Sequence, residues 1–331
     1  MDLLKSHTEP NMRDRQLAQF KSLGTILAVF LFATAVITVP AQPRKPATAF
    51  RSITIVTEPN STVWIDGVRY GVTDEKGRLA TSGVTGRAHS IRVRSNGFSE
   101  IVKGLPAASR GDVEIKLTKT TDEAELAFQA AESLTTVDRQ KAIAEYQRAI
   151  TLRPKFPEAY VGMARMYSET GDLEKADKAI RAAKRLKPGY AEASAVEGRL
   201  LKDADEEDRA IVVFKRAIAE GKGFQPEAYT GLGLLYKDRA ENAGASGEYD
   251  KENANYNESA KNLSIAVKQL GGAPDAIIVY QLVGLIYERQ KKFNEAIALY
   301  ENFLAIFPNA AESDAVRSFI VQIKKQMAEQ K

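Results

Sequence analysis

AYVGMARMYSETGDLEKADKAIRAAKRLKP, residues Ala159–Pro188, reads as two amphipathic helices separated by a short break. Tyr160, Met163, Ala164 and Tyr167 recur at i, i+3, i+4 and i+7, which gathers them on one face of a 3.6-residue helix. Ala176, Ile180 and Ala183 form the matching stripe on the second helix. Gly171 is a stop signal and Asp172 stands where an N-cap belongs; Lys184, Arg185 and Lys187 complement the negative end of the helix dipole, and Pro188 closes the unit. Ala164 is tiny among bulky neighbours, so a partner helix must approach closely there.

The pattern recurs. YVGMARMY at Tyr160–Tyr167 is echoed by YTGLGLLY at Tyr229–Tyr236 and YQLVGLIY at Tyr280–Tyr287, with Gly233 and Gly284 in the tiny position. These spacings resemble the tetratricopeptide repeat, a helix-turn-helix unit of 34 residues. The register fits without insertion over 157–190 and 277–310. An earlier unit is centred on Ala142, Tyr146, Ala149 and Pro154, with its first helix around Leu126 and Ala130. Another starts at Ala191, with Gly198, Leu201, Ala210, Phe214 and Ala217 in place but Ser194 and Glu197 in bulky slots. The unit beginning near Pro226 is interrupted by RAENAGASGEYDKENANYNES, so residues 240–258 read as an insertion between its helices. About five repeats thus span residues 120–309, and residues 310–331 read as a covering helix with Val316, Phe319, Ile320 and Ile323 inward and Lys324, Lys325 and Glu329 outward.

The resemblance implies an α-α superhelix, an α-helical solenoid in which no unit can bury its stripe alone. It also implies that function lies on the concave side, lined by the first helices. Positions there that do not face the partner helix are Val161, Arg165 and Ser168; Ala195, Arg199 and Lys202; Thr230, Leu234 and Lys237; and Gln281, Leu285 and Glu288. The expected binding groove is therefore basic at Arg165, Arg199, Lys202 and Lys237 and apolar at Leu234 and Leu285. It suits a protein partner carrying carboxylates beside aliphatic residues.

Ahead of the repeats the period changes to two. SITIV, STVWIDG, HSIRVRS and DVEIKL alternate apolar and polar residues between turn signals, which predicts a small antiparallel all-β domain over 51–118. Thr57, Pro59, Val63, Ile65, Asp66, Gly67, Gly71, His89, Ile91, Val93, Gly97 and Phe98 make this stretch resemble the PEGA domain, a β-sandwich of bacterial surface and membrane-attached proteins. Pro59-Asn60-Ser61-Thr62 stands where that family has Pro-Glu-Gly-Ala. The resemblance implies a structural or binding role and makes His89 a strand residue.

Residues 23–39, LGTILAVFLFATAVITV, carry no charge and would span roughly 26 Å as a helix, inside the range of a membrane span. Two readings stay open: a transmembrane helix with residues 1–22 in the cytoplasm and the body outside, or a secretory signal cut near Ala41. A proline-rich linker follows over 40–50.

Composition closes off several chemistries. The chain has no cysteine and two histidines, His7 and His89, among 331 residues. Thiolate metal sites, disulfides and cysteine nucleophiles are excluded, and no cofactor is expected. A net charge of +4 on 47 basic and 43 acidic residues gives no basic field for nucleic acid. GLGLL at Gly231–Leu235 lies inside a helical stripe, not after a strand, so it is no phosphate loop. The reading is a non-enzymatic interaction scaffold of the bacterial cell envelope. The rival is a carbohydrate-binding or cell-wall accessory in which the repeats act as a spacer.

Overall fold

The structure, a computed structural model, describes residues 50–329. The segment 1–22, the apolar run 23–39 and the linker up to residue 49 lie outside the described residues. Among the described residues no helix is long and apolar enough to cross a membrane.

The chain first lays down β1 (Phe50–Val56), β2 (Thr62–Ile65), β3 (Val68–Val72), β4 (Arg78–Thr85), β5 (His89–Arg94), β6 (Ile101–Leu105) and β7 (Gly111–Glu114). They form two sheets, ordered β4-β1-β7 and β3-β2-β5-β6. Period-two alternation sends Ile53, Ile55, Val63, Ile65, Ile91 and Val93 into the shared core. One pairing departs from the antiparallel expectation: β1 runs parallel to β7, with Ile53 opposite Gly111 and Val56 opposite Glu114. The chain builds the whole second sheet before β7 returns to β1, and a parallel partner needs such a crossover.

Then come α1 (Glu123–Leu134), α2 (Arg139–Leu152), α3 (Pro157–Glu169), α4 (Leu173–Leu186), α5 (Ala191–Asp203) and α6 (Glu207–Glu220). They are followed by α7 (Pro226–Ala245), α8 (Tyr249–Leu270), α9 (Ala276–Arg289), α10 (Phe293–Ile306) and α11 (Ser313–Glu329). The result is a helical solenoid of five hairpins and a closing helix. Asp172 caps α4 by accepting from the Lys175 amide at 3.1 Å. Met163 and Ala164 are buried, with Tyr160 and Tyr167 half-buried beside them. At Gly284 an added Cβ would stand 2.2 Å from Tyr300 Oη, which is the close approach that the tiny position implies.

Residues 240–258 do not form a loop between helices. They lengthen α7 to 20 residues and α8 to 22, against 14 for α9 and for α10. Ala240, Ala243, Tyr256 and Ala260 supply buried positions at helical spacing, so the hairpin grows outward with its own core. The next unit braces it: Arg289 reaches Glu252 at 2.7 Å, and Lys292 Nζ reaches Asn257 Oδ1 at 2.5 Å. On α11, Val316, Ile320 and Ile323 are buried, but Phe319, at the edge of their stripe with its ring 6.1 Å from that of Tyr300, is 44% exposed because no further helix among the described residues covers that edge.

Sandwich and solenoid are not separate beads. One apolar cluster runs from Ile55, Val63 and Ile91 into Leu270, Ala273 and Ile306 of the last repeats.

Candidate functional site

The inner-face residues fall into three fates. Val161 and Ala195 are not groove residues: both are essentially fully buried, because adjacent first helices close over these small side chains. The cations are already engaged. Arg165 grips Glu227 with both terminal nitrogens at 2.7 and 2.6 Å and lies 3.5 Å from Glu192. Arg199 stands 3.9 Å from the same Glu227. Lys202 faces Asp238 at 3.4 Å, and Lys237 faces Glu241 at 2.8 Å on its own helix. Of the two apolar groove residues, Leu285 remains largely in water, at 63% exposure, with Ile278 two turns earlier at 61%; Leu234 is half-buried.

Charge across the groove is therefore internally matched. Burial works against the Arg165 charge, yet Glu227 and then Glu192 outweigh it and raise the guanidinium pKa. Burial pushes Glu227 up, but Arg165 and Arg199 more than reverse this and hold its carboxyl below the usual range. Both side chains still touch water, at 26% and 30% exposure, so the pair is stronger than a surface ion pair and weaker than a dry one. Sequence spacing could not reveal Glu227 as a partner, since it belongs to a helix two repeats further along. A one-repeat ladder of charge at equivalent positions would have been the only signal.

The second constellation joins the sandwich to the solenoid. Arg94 at the end of β5 is 9% exposed and bonded to Glu100 of the sandwich and Glu132 of α1, with Glu125 at 4.0 Å. Its guanidinium lies 4.5 Å from the Phe128 ring centre. Burial lowers the Arg94 pKa, and Glu132 and Glu100 reverse this to a net rise. Beside it Gln129 accepts from the Gly97 amide at 3.0 Å and donates to the Phe98 carbonyl at 2.8 Å. At the other end Ser82 donates to the Ile306 carbonyl at 2.7 Å, and the Gly272 amide donates to the Gly83 carbonyl at 3.1 Å. Burial pushes the nearby Tyr70 hydroxyl up to about 12, so it stays protonated at neutral pH. The sandwich thus touches both the first helix and the last repeats.

His89 opens β5. Its Nδ1 lies 2.8 Å from Asp66 Oδ2 and its Nε2 3.0 Å from Thr85 Oγ1. Asp66 sits at φ 51° in the tight β2–β3 turn and accepts from the Ser90 amide at 2.8 Å, tying the hairpin to β5. Burial raises the Asp66 carboxyl, but Ser90, His89 and Arg87 bring it below its ordinary value. Among the described residues no group of three or more His, Asp and Glu side chains could hold a metal ion.

Residues 138–200 and 277–309 each match a family model described as tetratricopeptide repeat. Those hairpins are tetratricopeptide repeats. Such repeats are generally scaffolds for protein interaction, with curved stacked surfaces that take up partners. A comparison with curated proteins finds no match. Among solved structures, the MamA protein is similar at 21% identity and a TM-score of 0.39, covering 58% of this chain and 96% of its own. Yeast Tom70 is similar at 16% identity and a TM-score of 0.49, over 63% of this chain and 41% of that one. The Sgt2 TPR domain from Aspergillus fumigatus aligns at 24% identity and a TM-score of 0.34, over 38% and 83%.

Proposed function

We propose that the chain is a non-enzymatic scaffold of the bacterial cell envelope that holds a protein segment against the inner face of its tetratricopeptide repeats. The apolar run 23–39 would attach it to the membrane, or direct its export with cleavage near Ala41, and leave a PEGA-like sandwich and the repeats outside the cytoplasm. The observation that carries the binding claim is the state of Leu285 and Ile278. Single exposed aliphatic residues are ordinary, but these two share one face of α9. Phe319, half-exposed on α11, stands one repeat beyond Leu285 at the equivalent register position. A partner's aliphatic side chains would cover this stripe, and its carboxylates would have to compete with Glu227, Asp238 and Glu241 for Arg199, Lys202 and Lys237.

The rival, a polymer-binding sandwich on a repeat spacer, finds less support, since the sandwich is bonded to α1, to the α8–α9 turn and to the end of α10. Crosslinking capture from membranes with the full chain, compared with Leu285→Glu, tests the binding claim. Capture undiminished by that change would overturn it. Protease accessibility on intact cells tests the location: a body protected until the inner membrane is breached would defeat export.

A further inference from the structure

The outer face of the four-stranded sheet carries a row that neither the fold nor the groove uses. Cross-strand pairing aligns Arg69 with Trp64, Trp64 with Arg92, and Arg92 with Val102, so four strands place these side chains side by side on one face. Arg92 stacks on the Trp64 ring at 4.2 Å. It shares only a 4.0 Å contact with Glu100, and its Nε is buried without a hydrogen-bond partner. Arg69 is exposed and meets no carboxylate among the described residues. Val102 is 62% exposed, and Val72, in the next row, is 40% exposed. The acids gather at the other end of this face, around Arg94 and α1, which leaves the Arg69–Arg92 end with excess positive charge.

We propose that this row docks an acidic polypeptide segment bearing an apolar side chain, with carboxylates on Arg69 and Arg92, on either side of Trp64, and the apolar group against exposed Val102. Three inter-strand steps of about 4.8 Å give a row of about 14 Å, the reach of roughly four extended residues. A guanidinium held over an indole has already lost part of its freedom, so pairing it with a carboxylate costs less further ordering. The row is too short for the long phosphate track that nucleic-acid binding draws on, and the carboxylates of Glu100 and Glu132 flank it. The proposal shares no residue with the groove reading, so variants at Arg69 and at Leu285 test the two separately.

Trp64 is the only tryptophan in the chain, so its fluorescence reports on the row directly. The full chain is titrated with a twelve-residue peptide of Glu, Leu and Gly, with the same peptide carrying Gln for Glu, and with oligothymidylate of equal length. A saturable Trp64 change with the acidic peptide is expected, weakening with salt and at least tenfold weaker with the Gln peptide. Arg69→Glu, at an exposed site, should lose the response at least tenfold with an unchanged melting temperature, Arg69→Lys should largely keep it, and Leu285→Glu should leave it intact. No saturable response, equal binding of the Gln peptide, tighter binding of oligothymidylate, or an unaffected Arg69→Glu would each overturn the proposal.

Discussion

Gly83 of the sandwich and Gly272 of the α8–α9 turn meet backbone to backbone, the Gly272 amide donating to the Gly83 carbonyl at 3.1 Å. A Cβ on Gly83 would stand 2.2 Å from Gly272 Cα and 2.8 Å from Ile306 Cγ2. Main chain cannot yield as a flexible side chain can. Gly83→Val is therefore expected to cost about 1–3 kcal/mol in urea unfolding and to raise protease sensitivity around the α8–α9 turn. A sandwich that moved freely on the repeats would show neither effect.

Gly284 separates a packing role from a conformational one. Its φ is ordinary, so alanine is tolerated by the backbone and even favoured in a helix, yet the new methyl would press on Tyr300 Oη and disturb its 2.5 Å bond to Glu288. Gly284→Ala should destabilise by about 1–2 kcal/mol, the overpacking exceeding the propensity gain. Gly104→Ala on edge strand β6, where nothing lies within 4 Å of the new atom, should shift stability by under about 0.5 kcal/mol. Paired denaturation curves decide this.

Arg94→Met keeps much of the side chain's apolar bulk and removes its charge, leaving Glu100, Glu125 and Glu132 facing one another. The expected loss is about 2 kcal/mol, less than the ~3–5 kcal/mol of a fully buried pair because Glu100 and Glu132 keep contact with water. Adding Glu132→Gln should recover part of it, and a double-mutant cycle measures the recovery.

Much of the fold was legible where a period repeats. Tyr160–Tyr167, Tyr229–Tyr236 and Tyr280–Tyr287 mark three of the five first helices, because their packing obeys local spacing. The lengthened α7–α8 hairpin was not legible: a polar, Asn-rich stretch looks like a loop unless Ala240, Tyr256 and Ala260 are read as a sparse stripe. Strands β4 and β6 escaped for a related reason, since RLATSGVT and IVKGL lack clean alternation. The groove cations were found by register, but their counter-charges were not. Arg165 and Glu227 are joined by superhelical curvature, a property of the stacked array that no single repeat encodes. The sandwich junction was likewise invisible, being made of glycine backbones and a lone buried Arg94.

The Arg165–Glu227 pair gives a pH dependence of known sign. The Glu227 carboxyl has a lower pKa folded than unfolded, so its contribution is fully present above the ordinary glutamate range and disappears as pH falls through the folded value. Glu227→Gln should cost about 1–2 kcal/mol at neutral pH, and the gap to the unaltered chain should close below about pH 4. A gap of constant size across an acid titration of unfolding free energy would mean that Glu227 packs rather than pairs.

Partner capture needs a variant whose effect on folding is small. Arg165→Glu fails that requirement, since it would set a third carboxylate against Glu192 and Glu227, so weakened capture could reflect a relaxed groove. Leu285→Glu meets it: the side chain is mostly in water and its loss leaves no buried cavity. Stability should move by less than about 0.5 kcal/mol, whereas covering a carboxylate in place of an aliphatic anchor should weaken partner binding by about tenfold or more, roughly 1.4 kcal/mol. Phe319→Ser should act in the same direction, and the two together should exceed either alone if one partner segment spans α9 and α11. Equal loss of stability and binding in both variants would instead assign these side chains to packing.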